Sequence, residues 1–402
     1  MRKNIFVVGL DDFHLSQLQA LSRAGSYRFH SLISYKKIKC GESFPVRSFL
    51  QKAPRRLAQF DGTVDAVIGF WDFPVSTLLP ILQKQAGLIG PSLNAVLKCE
   101  HKYWSRLEQA KAVPEIIPPF QKIDPFQKDP LTQCRLAFPF WLKPVKSVLS
   151  YLGFLIRDRD EFIRCIRLVR QGIGRYADPF NVILDEADLP EEIQAVDGYH
   201  CIAEGLISSG RQCTLEGYAH KGDIHVYGII DSVREGSHQS CFSRYQYPSQ
   251  LPQKVQQRMI AAATSFMAHI GFDNSPFNME FYWNHQQDAI WLLEINTRIS
   301  KSHCPLFKMV DGEYHHDVLI DVALGKKPDF PHRQGQFKTA AKFMMRCHKD
   351  GKVIAVPGRT RIEALKRRFP ETQIVIQVKA GMRLSDLPNQ DSYSYEIADL
   401  FL

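Results

Sequence analysis

At about 150 residues per domain, the 402-residue chain has room for two or three packed units. Hydrophobic residues at 45% and charged ones at 23% match ordinary soluble proteins, which excludes disorder over most of the length. The 51 basic and 42 acidic residues leave a formal charge of +9, which permits anionic ligands without requiring nucleic acid. Nine scattered cysteines form no CxxC pair, so reduced thiols in a cytoplasmic protein are expected. The apolar run within Met1–Leu10 stops at Asp11-Asp12, short of a secretory segment. With no stretch of about 18 apolar residues, no membrane span is expected.

In chain order, Ile5-Phe-Val-Val-Gly9 followed by Leu15, Leu18 and Leu21 reads as strand, tight turn and helix. Gly9 fits a structural turn better than a nucleotide site, because no GxGxxG pattern surrounds it. Val64–Phe70 reads as a buried strand, Val75–Gln85 as a helix and Gly87–Ser92 as a short strand. An amphipathic helix is expected over Leu97–Ala112, and then an extended Pro-rich connector leading to strand Phe138–Lys143. Helix Asp160–Gln171, an acidic loop through Glu192 and strand His200–Ile207 follow. Strands Gln212–His220 and Asp223–Ile230 flank the hairpin turn Lys221-Gly222. After helix Pro252–Ile270, a second hairpin pairs Asn278–Trp283 with Ala289–Asn296. Helix Asp317–Leu324, strand Lys338–Cys347 and smaller alternating elements complete the chain.

The chemistry concentrates in that second hairpin. Residues two apart on a strand share a face, so Glu294 and Asn296 point the same way. A hairpin centred on Gln286 or Gln287 brings Glu280 onto that face. Two carboxylates and an amide oxygen suit a hard cation such as Mg²⁺. A solvated face is the competing reading, and the neighbouring Tyr282 and Leu292 speak against it. Arg298 shares the face and can grip a phosphate or carboxylate, or else close an ion pair with one of the acids. Lys143 ends an apolar strand, either reaching a ligand or snorkelling to solvent. Lys102 and Arg106 lie one turn apart on a helix, as an anion-binding or a solvated face.

Taken in order, these segments resemble the ATP-grasp ligases. His101-Lys-Tyr-Trp-Ser-Arg-Leu107 is similar to the family's first lysine helix, Phe140-Trp-Leu-Lys-Pro144 to its second lysine strand and Ile202-Ala-Glu-Gly-Leu-Ile207 to its adenine hinge. Glu280, Glu294 and Asn296 match its metal set. The resemblance implies a fold of mixed α/β and α+β type, with a parallel-sheet pre-ATP-grasp domain over 1–95 and a helix and Pro-rich linker over 96–137. A small lid subdomain over 138–206 and a large subdomain over 207–335 would sandwich ATP, with 336–402 completing the large subdomain.

It further implies that Lys102 and Lys143 contact the phosphates, that the backbone of Glu204 and Leu206 holds adenine, and that Gln212 lies near the ribose. The loop Val145–Gly153, which has a single glycine, would cover the phosphates. Mg²⁺, with Mn²⁺ as an alternative, and Lys143 would assist phosphoryl transfer from ATP to a carboxylate. Arg298 would hold the acyl phosphate until an amine captures it.

Glu294–His303 is similar to the corresponding stretch of biotin carboxylases, with Ser300 and Ser302 where that branch has a bicarbonate-binding Gln and a basic Glu. A carboxylate needs no such base, so a carboxylate–amine ligase releasing ADP and phosphate is expected. The alternatives are biotin-carboxylase-like bicarbonate activation and a nucleotide-binding regulatory protein. Expected partners are a small-molecule carboxylate and an amine, without nucleic acid or membrane, and a homodimer is compatible. Arg244, Tyr245, His303 and Arg333 are the candidates for the acceptor pocket.

Overall fold

The computed structural model describes residues 2–39, 44–148, 150–207, 209–235, 241–370, 372–387 and 394–402. Cys40, one of the nine cysteines, and Leu149, in the expected phosphate loop, lie outside them.

Lys3–Leu10 (β1) is a nearly unbroken apolar run, the pattern of a strand covered on both faces. It lies between Tyr27–Ser34 (β2) and Ala66–Ile68 (β3) in a three-stranded parallel sheet. The β2 strand went unforeseen because Arg28, His30 and Ser31 interrupt its apolar residues. Gly87–Ser92, by contrast, forms no strand. Gly87 takes φ 65° there, and the Leu88 amide donates to the Gln83 carbonyl at 2.8 Å, so the segment closes the preceding helix. Gly9 has φ 80°, and a Cβ on it would sit 2.7 Å from Trp71 Cδ1. Backbone conformation and the close approach of Trp71 account for this glycine together.

A four-stranded antiparallel sheet follows, formed by Phe120–Ile123 (β4), Phe140–Pro144 (β5), Phe154–Ile156 (β6) and Cys201–Glu204 (β7) in the order β4-β7-β5-β6. The Pro-rich stretch is therefore not all linker, since β4 pairs with β7 inside it. The expected acidic loop contains the helix Gly174–Leu184, which buries Tyr176, Ala177, Phe180, Ile183 and Leu184 at helical spacing. Asp178 on its other face and the acids that follow the helix obscure that stripe in the sequence.

The single helix expected over 97–112 is two, Leu93–Glu100 and Lys102–Ala112. His101 breaks it with ψ 99°: its Nδ1 accepts the Trp104 amide at 3.2 Å and its Nε2–H donates to the Val196 carbonyl at 2.8 Å. The Lys102 amide donates to the Val145 carbonyl at 2.9 Å. The break thus fixes the first turn of the second helix against the chain leaving β5.

The remaining strands are Arg211–His220 (β8), Asp223–Glu235 (β9), Cys241–Tyr247 (β10), Ser275–Asn284 (β11), Ala289–Asn296 (β12), Ala340–Cys347 (β13), Gln373–Ile376 (β14) and Tyr395–Phe401 (β15). They make one eight-stranded sheet in the order β12-β11-β8-β9-β10-β13-β15-β14. Lys221 at φ 53° and Gly222 at φ 85° form the expected tight turn between β8 and β9. Helix Gln253–His269 packs Met259, Ala263 and Phe266 into the cluster that holds Leu215, Phe277, Met279 and Phe281. That packing leaves the opposite face of β8, β11 and β12 for the site.

Candidate active site

A cleft of about 1740 Å³ is lined by residues of both antiparallel sheets and by the segments that leave the parallel-sheet strands, among them Asp11, Tyr35 and Asp72. It is larger than the roughly 300–1,000 Å³ of a typical small-ligand pocket, so it has room for more than one reactant. Lys102, Lys143, Glu204, Gln212, Glu280, Glu294, Asn296 and Arg298 all border it.

The β11–β12 register pairs Asn278 with Asn296 and Glu280 with Glu294. The two acids are therefore direct cross-strand neighbours, as the hairpin reading requires. Between Glu280 and Phe281 the register slips, so that Phe281 faces Leu292 and Leu293 is the extra residue. This bulge corrects one expectation. Leu292 turns into the core, 1% exposed, and Leu293 joins Glu294 on the cleft side. Burial and the Glu294 charge push the Glu280 carboxyl up to about 7. The Gln212 amide donates to Glu280 Oε2 at 2.7 Å, and Arg234 Nε–H donates to Gln212 Oε1 at 2.7 Å. Gln212 thus orients a carboxylate, a contact the sequence reading did not include. The Asn296 amide donates to Asn278 Oδ1 at 3.0 Å, which fixes its orientation.

Lys102 donates to the Ser147 carbonyl at 3.1 Å and stands 3.7 Å from Glu294 Oε1. Desolvation lowers its ammonium to about 8, with Glu294 opposing and Lys146 and Lys143 reinforcing the shift. Arg106 does not share an exposed anion face with Lys102. It is 2% exposed and bridges Glu204 Oε1 at 2.8 Å and the Leu292 carbonyl at 2.9 Å. Lys143 Nζ meets the other Glu204 oxygen at 2.5 Å. Full burial alone would raise the Glu204 carboxyl, but Arg106 and Lys143 bring it down to about 2. The Glu204 side chain therefore joins the second helix to the four-stranded sheet. Beyond it, Leu206 is 45% exposed, while Gly205 N–H donates to the Pro119 carbonyl at 2.9 Å.

In the loop after β5, Ser150 at φ 57° and Leu152 at φ 55° occupy left-handed positions that glycine usually fills. Lys146, buried, pairs with Glu100, whose other oxygen accepts the Thr297 hydroxyl at 3.0 Å. Neither member of this pair stood out in the sequence. A buried Lys–Glu pair from separate segments leaves no local spacing to read.

Arg298 Nε–H donates to Asp72 Oδ1 at 2.6 Å, and its Nη2 also pairs with Asp72. An ion pair was expected as an alternative, but to an acid of the hairpin rather than one just past β3. The available signal was a carboxylate directly after the apolar run Ala66–Trp71, where a strand end meets a cleft. At the far side, Lys342 Nζ lies 3.0 Å from Asp399 Oδ1, and Arg346 Nη2 lies 2.8 Å from Glu396 Oε2. Of the proposed acceptor residues, Arg244, Tyr245 and His303 line the cleft. Arg333 does not, because it lies over the Tyr247 ring at 5.1 Å.

Residues 237–329 match the family described as carbamoyl-phosphate synthase L chain, ATP binding domain. No curated protein matches the chain at a significant level. Among solved structures, the L-amino acid ligase of Bacillus licheniformis is similar at TM-score 0.72 and 17% identity, covering 100% of this chain and 93% of that one. The carboxyaminoimidazole ribonucleotide synthase of Aspergillus clavatus, complexed with ATP, gives 0.64 and 15%, with 100% and 93% covered. Biotin carboxylase from Campylobacter jejuni gives 0.63 and 14%, with 100% and 87% covered. No helix among the described residues is long and apolar enough to cross a membrane. The parallel N-terminal sheet, the two antiparallel sheets around one cleft and these full-length structural matches agree: this chain has the ATP-grasp fold.

Proposed function

We propose that the protein is a cytoplasmic ATP-dependent ligase that activates a small-molecule carboxylate as an acyl phosphate and joins it to an amine, releasing ADP and phosphate. The observation that carries this reading is the direct pairing of Glu280 with Glu294 in a cleft that also holds Lys102, Lys143 and Arg298.

The donor set fits a divalent ion. Two adjacent carboxylates with one raised to about 7, together with the oriented Asn296, provide hard oxygen ligands for Mg²⁺ or Mn²⁺. A bound ion there would supply charge neutralisation for the transferring phosphoryl oxygens. Lys102, whose ammonium is lowered to about 8 by burial, gains an anionic partner when phosphates enter. Lys143 reaches the same space from the end of β5, held by Glu204. The backbone around Glu204 and Leu206 is the proposed adenine edge, and Gln212 is assigned to orienting Glu280 as well as to lying near the ribose. Arg298, anchored by Asp72, presents a fixed guanidinium to the acyl phosphate.

Ser300 and Ser302 supply no acid–base group at the positions noted above, which favours a ready-made carboxylate over bicarbonate. The test is an ADP-release screen of carboxylates paired with amines, with bicarbonate plus biotin included. ADP and phosphate formed with a carboxylate–amine pair support the reading. AMP and pyrophosphate would overturn it, and so would bicarbonate-dependent carboxybiotin.

A further inference from the structure

Glu216, in the middle of β8, is fully enclosed. Its Oε1 shares a hydrogen bond with His303 Nδ1 at 2.7 Å and accepts the Ser300 amide at 3.2 Å. One acid thus fastens the segment leaving Arg298 at two points. The His303 ring also meets the Tyr245 ring edge-on, with centroids 4.9 Å apart. His303 lines the cleft beside Arg298, Ser300 and Ser302. Among the described residues no hydrogen bond reaches its Nε2.

The charged and titratable groups around the ring are Glu216 from β8, Tyr245 from β10, Lys342 from β13 and Arg298 and Lys301 from its own segment. His315 stands behind Glu216, with Nδ1 4.0 Å from Oε2. Burial pushes the Glu216 carboxyl well up and the His303 imidazole down to about 3. Burial thus opposes charge on either member alone, so a proton taken up at Nε2 is compensated only through the Glu216–His303 hydrogen bond.

Resting on the ligase reading above, we propose that His303 is the general base for the amine acceptor, with Glu216 as the positioning residue that fixes its tautomer. The amine nitrogen bonds to the acyl carbon, and the bond from that carbon to the bridging phosphate oxygen breaks, its electron pair leaving with phosphate. The proton from nitrogen passes to His303 Nε2 and from there to the released phosphate. General-base assistance of this kind contributes about 10²–10⁴ in rate.

The test separates activation from capture. Wild-type protein, ATP and Mg²⁺ are assayed over a carboxylate panel in two arms, one with hydroxylamine and one with amines. Hydroxylamine is largely unprotonated at neutral pH and captures acyl phosphates without a base. No hydroxamate from any carboxylate with the wild type overturns the ligase reading, and this proposal with it. With a working carboxylate, His303→Asn, or His303→Gln should the first fold poorly, is expected to lose about 100-fold more in amine ligation than in hydroxamate formation. Glu216→Gln should show the same split with a displaced acidic limb in the ligation pH profile, and Glu216→Asp should recover part of it. Equal losses in both arms, or none in either, would make the pair structural and overturn the proposal. A split produced by His14→Asn and not by His303 would also overturn it, since His14 and Asp11 form another acid–imidazole pair on this cleft.

Discussion

Arg298 and Asp72 lie 226 residues apart in sequence and meet at 2.6 Å, tying the segment after the β11–β12 hairpin to the segment just past β3. The guanidinium is held in place from the N-terminal domain, while the strand just before it carries Glu294 and Asn296. Desolvation opposes the charge on Arg298, and the Asp72 carboxylate more than restores it. Asp72→Asn should therefore leave Arg298 charged but poorly aimed. ADP release is expected to fall about tenfold with a much smaller change in nucleotide affinity, the mark of lost orientation. Steady-state kinetics beside calorimetric ADP titration checks this, and equal losses in both would place Asp72 in nucleotide binding.

Glu294→Ala should reduce metal-dependent ATP turnover by about 100-fold or more, since one of two adjacent carboxylates is removed. The same change relieves the charge on Glu280, so the variant should melt no lower than the wild type in the absence of metal. Turnover within a factor of two of wild type would show that the hairpin acids are structural.

Lys143→Met removes an ammonium and keeps its apolar stem. The loss of a charge-assisted bond to Glu204 should cost about 1.5–3 kcal/mol of stability, limited because Arg106 still holds the other carboxylate oxygen. ADP affinity should drop about tenfold at the same time, one phosphate contact being worth roughly 1.4 kcal/mol. Denaturant melts with and without ADP separate the two effects. An intact ADP affinity would mean that Lys143 serves only Glu204.

The sequence made the β11–β12 hairpin legible because alternation and turn length fix which residues face each other, and Glu280 and Glu294 do pair. It did not show the bulge at Leu293, since an extra residue on one strand has no compositional mark. Lys102 was legible only as one of two basic residues a turn apart on a helix, whereas the break at His101 depends on the Val196 carbonyl, 95 residues away. Arg106 looked like Lys102 in sequence, and only burial against Glu204 and the β12 carbonyls distinguishes them. The helix Gly174–Leu184 was hidden by local acidity, although its apolar residues follow the 3.6-residue period. What stayed illegible throughout was long-range partnership: Asp72 with Arg298, Glu100 with Lys146 and Glu216 with His303.

Glu280 titrates near 7 when folded, against 4.5 ordinarily, because burial and then Glu294 disfavour its charged form. A raised folded value means that the folded state binds the proton more tightly than the unfolded chain. The stabilising contribution is complete below pH 4.5 and is lost as pH rises to about 7. At about 1.4 kcal/mol per pH unit, the rise from 4.5 to about 7 corresponds to a loss on the order of 3–4 kcal/mol. Metal binding requires the ionised form, so at pH 6 each ion bound should displace close to one proton, and at pH 8 almost none. Calorimetry of Mg²⁺ binding in two buffers of different ionisation enthalpy reads that number directly. Glu280→Gln should abolish both the proton release and the fall in metal-free stability between pH 4.5 and 7. A wild-type protein that releases no proton at pH 6 would place the titrating group elsewhere in the cleft.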